Sequence, residues 1–252
     1  MKKLGIFFTC YDELEASRYS LHMLRLSYPD APVYLVCEST IDFKILESEF
    51  SNISVNKVED TMTDAFQITV QNFRLADKQI AMKRAVVAVI DRLILSGEYL
   101  DSEYVLMLDP DAIVCGKLTI PNNVGLLGCR INSNRTLFQA MNNVLKSYGG
   151  KEITAWGATP AIFNFKKFLA AKELLLSEKT LLDEICQSFY AVFAHDVLLP
   201  ILFSLIGEEE MFNPDIIQIQ NNPNWRETGK SLVHQFRAYY PQRNTKYATA
   251  NW

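Results

Sequence analysis

The chain has 252 residues, of which 49% are hydrophobic and 21% charged, the proportions of a globular protein. Its formal net charge of -4 argues against a general nucleic-acid surface, although a local basic patch for phosphates stays compatible with it. The five cysteines are widely spaced with no C-x-x-C, which reads as reduced core thiols in a cytoplasmic protein rather than a disulfide frame or zinc site.

The chain opens on "MKKLGIFFTCYDELE". Its apolar run stops at Thr9 and acidic residues follow, so it reads as a first buried strand, Leu4 to Phe8, and not as a signal peptide. "EASRYSLHMLRLSY" places Ala16, Tyr19, Leu21, Leu24 and Leu26 at roughly helical spacing, and "PDAP" breaks it. "VYLVCE" is a second strand, which makes a βαβ unit with a parallel sheet. "ISVNKVE" is a weaker third. "DKQIAMKRAVVAVIDRLILSG" predicts the strongest helix, from Asp77 to a stop at Gly97. It is apolar almost all round between Ala85 and Ile90, hence largely buried. "EYVLML" is the next central strand, and "VGLLGC" another. "AIFNF" reads as a strand, helices follow Lys166, and "VLLPILFSLIG" is a buried helix or strand. No stretch reaches the roughly 18 apolar residues of a membrane span. The whole reads as one α/β domain with an irregular C-terminal third.

"YVLMLDPDAIV" carries the chemistry. A strand apolar at every residue is covered on both faces, and ligands of open parallel sheets bind beyond the carboxyl ends of such strands. Asp109 and Asp111 lie at that end. Pro110 fixes its own φ and pushes Asp109 toward an extended conformation. Two adjacent carboxylates repel unless a positive group joins them, and a hard divalent cation with oxygen ligands is the natural one. Asp111 is expected to face solvent. A plain surface turn or helix cap is the alternative for the tripeptide alone.

In layout and order, the chain resembles GT-A-fold glycosyltransferases, with "DPD" as the DXD motif, "TCYD" after the first strand, a long helix feeding the DXD strand, and a late histidine in "SLVH". The resemblance implies a Rossmann-like, mostly parallel sheet flanked by helices, with a nucleotide-binding half (1–115) and an acceptor half (116–252). It implies a sugar-nucleotide donor, by default a uridine diphosphate sugar, a glycan-type acceptor, and manganese or magnesium held by Asp109, Asp111 and His234. Asp109 also reaches the donor ribose in this family's pattern. Gln235, Phe236 and Arg237 stand where a glycine and a lysine often follow the histidine, and Arg237 or Lys230 is the candidate replacement for that lysine.

The same resemblance assigns Tyr11 to stacking on the base and Thr9 to the base edge, with Asp12 as the cap of the next helix in the bland reading. Among Arg74, Asp77, Lys78 and Lys83, it points to Lys83 as the donor contact. Trp156 and Gly157 in "AWGATPAIFNFKKF" would wall the donor sugar; core packing of Trp156 is the competitor. Asp196 in "FAHDVLLP" would be the general base if the enzyme inverts, with His195 in place of the usual glutamate; retaining enzymes of this fold also place an acidic residue nearby, so stereochemistry does not follow, and helix capping is the alternative. Two other classes stay open. A haloacid-dehalogenase-like phosphohydrolase also puts D-x-D after an apolar strand, but on an early strand and usually with threonine or valine where Ile113 stands. A non-catalytic nucleotide- or carbohydrate-binding protein on the same scaffold is the other.

Overall fold

The computed structural model describes residues 3–10, 13–38, 41–58, 75–131, 135–153, 156–178, 180–188, 194–208, 210–218 and 224–234. Strand β1 (Leu4–Cys10) is followed by helix α1 (Leu14–Ser27), β2 (Val33–Cys37), α2 (Ile45–Glu49) and β3 (Ile53–Lys57). Helix α3 (Leu75–Leu100) leads to β4 (Tyr104–Leu108), and beyond the aspartates lies the short β5 (Ile113–Val114). Then come β6 (Leu126–Ile131), α4 (Arg135–Ser147), β7 (Trp156–Asn164), α5 (Phe165–Ser177), α6 (Leu181–Ser188) and α7 (Ala194–Leu205). Strands β8 (Glu210–Phe212), β9 (Ile216–Gln218) and β10 (Leu232–His234) complete it.

The main sheet has the order β3-β2-β1-β4-β7-β6-β8. Strands β1 to β4 pair in parallel, β7 is antiparallel to both β4 and β6, and β8 runs parallel to β6. The mostly parallel, helix-flanked α/β sheet implied by the resemblance is therefore the one observed. A small sheet, β5-β10-β9, stands beside it.

Alternate residues of the apolar strands feed opposite faces. Phe7, Val36, Val105 and Met107 pack with α3 and the later helices, whereas Ile6, Phe8, Leu35, Leu106 and Leu108 pack with Leu21 and Leu24 of α1. Burial on both faces explains why these strands are continuous apolar runs rather than alternating ones.

Two expectations are corrected here. Leu26 does not belong to the buried stripe of α1: it is 67% exposed, while Ser17 and Ser20 are fully buried with Ala16, Leu21 and Leu24, and Tyr19 is half-buried against Ile113 and Val233. Positions 17, 20, 21 and 24 fall on one helical face, so the stripe is right in period but shifted in phase. Gly97 does not stop α3, which continues to Leu100. A Cβ at Gly97 would lie 1.9 Å from the Phe165 ring, so the glycine serves close packing against the start of α5. "VLLPILFSLIG" resolves as helix, α7, with Pro200 inside it.

Candidate metal centre

Strand β4 ends at Leu108, paired with Phe8 of β1. Asp109 and Asp111 follow in a turn closed by the Ala112 amide donating to the Asp109 carbonyl at 3.0 Å. From α1, the Ser20 hydroxyl donates to the Ala112 carbonyl at 2.5 Å. From β1, the Thr9 hydroxyl donates to Asp109 Oδ1 at 2.5 Å. The turn is thus gripped from two elements that precede it in the chain.

After the turn, the chain enters β5, and β5 pairs antiparallel with β10 through Ile113↔Val233. That pairing delivers His234, the last residue of β10, to the aspartates. His234 Nε2 lies 3.1 Å from Asp111 Oδ1, with the two side chains 11% and 6% exposed. One ligand atom each from Asp109, Asp111 and His234 can be chosen within 4.8 Å of one another. Asp111 is therefore buried, not solvent-facing as its strand-end position suggests; β10 covers it. Two carboxylate oxygens and an imidazole nitrogen are a donor set that suits manganese, and the oxygens suit magnesium also. The donor chemistry fits the cation that the sequence implies.

Behind this cluster the wall is sulfur and hydrocarbon. Cys10 and Cys37 are register partners at the ends of β1 and β2. Burial pushes the Cys10 thiol well above its ordinary range, helped by its hydrogen bond with Cys37 and by the nearby Asp109 charge. Cys10, Cys37, Cys115 and Cys186 are all free, in keeping with the reduced-thiol reading.

The other candidates distribute as follows. Tyr11 lies outside the described residues, as do Asp12, Arg74, Gln235 and Arg237. Trp156 and Gly157 open β7. Because β7 is antiparallel to β4, with Met107 opposite Ala161, its first residues lie at the Asp109 end of the sheet. Asp196 is in the first turn of α7. The last turn of that helix, at Phe203, lies beside Gly125 at the opposite end of the sheet, which sends its first turn toward the Asp109 side. The side chains of Trp156 and Asp196 are outside the described part of the chain. Lys83 is on α3, where its ammonium pairs with Asp183 of α6 at 2.6 Å; both side chains are about half exposed. Lys230 lies 4.0 Å from Asp215.

The structure also brings forward residues that the sequence reading passed over. Arg92, inside the apolar face of α3, pairs with Glu38 at the carboxyl end of β2; their side chains are 10% and 3% exposed. Glu13, 2% exposed, stands where α1 begins, just past "TCYD". The signal for Arg92 was available: a cation stands in "AVVAVIDRLIL" on the same helical face as Val89 and Ser96, both buried. Ser20 had none, because a serine at a core position becomes legible only once the helix phase is known.

No protein-family model matches the sequence, and no curated protein matches it. Two solved structures of LgtC are similar in three dimensions. An active-site mutant of LgtC is 17% identical with a TM-score of 0.47, over 91% of this chain and 86% of that chain. The galactosyltransferase LgtC in complex with donor and acceptor sugar analogs is 17% identical with a TM-score of 0.48, over the same shares. Among the described residues, no helix is long and apolar enough to cross a membrane.

Proposed function

We propose that this chain is a metal-dependent glycosyltransferase that moves a sugar from a nucleoside diphosphate sugar, with uridine as the default base, to a hydroxyl of a glycan or similar acceptor. The observation that carries the reading is the convergence of Asp109, Asp111 and His234 at the carboxyl end of β4. Asp109, Asp111 and His234 would together hold a manganese or magnesium ion. When bound, the cation supplies Lewis-acid stabilisation of the charge that develops on the leaving diphosphate.

The chain's own groups then divide the remaining work. Residues 1–115 form the nucleotide half and 116–252 the acceptor half of one domain. Tyr11, after β1, stacks on the base, with Thr9 beside it. Trp156 and Gly157, at the Asp109 end of β7, wall the sugar, the glycine letting the backbone come close. Asp196 accepts the proton of the attacking acceptor hydroxyl on its carboxylate. Lys83 reaches the donor phosphates when it exchanges Asp183 for them, a swap between two exposed partners with little desolvation to overcome.

The test is calorimetric titration with uridine and guanosine diphosphates, with manganese and with chelator. Manganese-dependent binding of one of them supports the reading and fixes the base for a donor screen. Asp111→Asn, which keeps shape and removes charge, should abolish the manganese-dependent part while leaving the circular dichroism spectrum unchanged. Equal affinity in wild type and variant would sink the assignment. Release of phosphate from phosphomonoesters, without nucleotide binding, would favour the phosphohydrolase instead.

A further inference from the structure

The geometry points to Thr9 as a positioning residue for the metal centre, acting through Asp109, an inference that rests on the metal-binding reading above. Thr9 and Asp109 are neighbours by construction. Strands β1 and β4 are in parallel register, with Phe8 opposite Leu108, so the next residue of each lies side by side just beyond the ladder. The Thr9 hydroxyl lies 2.5 Å from Asp109 Oδ1, a donor–acceptor distance usual for a charge-assisted O–H···O⁻ bond. It is also 3.5 Å from the Leu108 carbonyl, a marginal second acceptor.

Asp109 needs such a partner. Pro110 restricts its backbone and the Ala112 amide closes its turn, but neither chooses the direction of its carboxylate. Its ligand atom is held within 4.8 Å of those of Asp111 and His234, a spacing at which two carboxylates repel each other. A carboxylate left to itself would relieve that repulsion by rotating away. Thr9 lies on a strand paired to β2 on one side and beside β4 on the other, so its hydroxyl is presented from a fixed backbone position. It selects one orientation of Asp109 before any cation arrives. Ser20 does the corresponding work for the backbone of the same turn, through the Ala112 carbonyl.

A chemical consequence follows for the donor pocket. A hydroxyl has one proton and two lone pairs. With its proton directed at Asp109, Thr9 can offer a nucleotide base only an acceptor. Its part at the base edge is thereby limited to a base N–H, and its main part is to aim a ligand at the metal.

The test uses the full chain with uridine diphosphate present. Manganese is titrated and the free ion is read by its electron paramagnetic resonance signal. Thr9→Val removes the hydroxyl at nearly constant shape, Thr9→Ala removes it without branching, and Thr9→Ser restores it. Valine and alanine should each weaken manganese binding roughly tenfold or more, the usual size for loss of a group that orients a metal ligand, while serine stays close to wild type. Nucleotide affinity in chelator is measured for all four proteins, and the weakening of manganese binding should exceed any change there, which separates the metal role from loss of a base contact. A changed melting temperature with unchanged manganese affinity in the valine and alanine variants would overturn the inference, making Thr9 merely structural. If wild type itself binds no manganese, the metal reading fails and this inference fails with it.

Discussion

The two sides of the β4 strand are built on different plans. On one side, β1, β2 and β3 are parallel, each preceded or followed by a helix, and β1 and β2 are buried on both faces. On the other, β7 is reversed, β6 carries a register shift at Gly128/Cys129, and the small β5-β10-β9 sheet is made of strands of two or three residues. The first plan is held by hydrophobic layers that any truncation opens. The second is held by individual fits: a glycine against a ring, an amide side chain against a backbone, a histidine carried in by a short strand. The difference predicts different responses to mutation.

The largest effect should come from the parallel side. Leu106→Ala removes a fully buried β4 side chain and should cost about 2–5 kcal/mol, with one cooperative unfolding transition in urea. A separate early transition confined to the β7 side would break the comparison, because it would show that the two plans do not share one cooperative unit. Next comes the join between them. Gly97→Ala forces a methyl group into the Phe165 ring and should cost about 1–3 kcal/mol. Phe165→Leu in the same background should recover part of that cost, which a thermal melt would read.

On the reversed side, Asn142 donates to the Ile153 carbonyl and accepts from the Ile153 amide, both at 2.9 Å, and so imitates a strand partner just before β7. Asn142→Ala should cost about 1–3 kcal/mol for two bonds. Amide exchange at Ile153 should rise more than exchange in β4, which would localise the loss. The smallest effect belongs to Lys83→Ala. Its pair with Asp183 is exposed, so stability should change by less than about 1 kcal/mol. A fall in nucleotide affinity at that unchanged stability is the mark of a phosphate contact.

Legibility in the sequence followed the same division. "LGIFF", "VYLVC" and "YVLML" announce themselves because two-faced burial leaves no polar residue to interrupt the run. The DPD turn could be read from its place at the end of such a run. His234 could be proposed only by resemblance, since nothing local in "SLVH" says that β10 pairs with β5. The burial of Asp111 was missed for the same reason: the strand that covers it comes from far along the chain. Leu26 falls outside the buried stripe because a short apolar pattern fixes the period of a helix more firmly than its phase. That Thr9 stands within hydrogen-bonding reach of Asp109, besides any base contact, is a fact that only strand register reveals.

The arrival of His234 through β10 has a consequence for how the molecule comes into being. Its two aspartates are made before the middle of the chain, and the strand that brings the imidazole is made near the end. Contacts between such distant segments form late, after the loop-closure entropy of the intervening chain has been overcome. During synthesis, the parallel layers can assemble while the aspartate turn still lacks its third donor. The cation site can be completed only once β10 has been made, and a nascent chain that exposes only its first half would display the DPD turn without the full cluster that this structure builds around it.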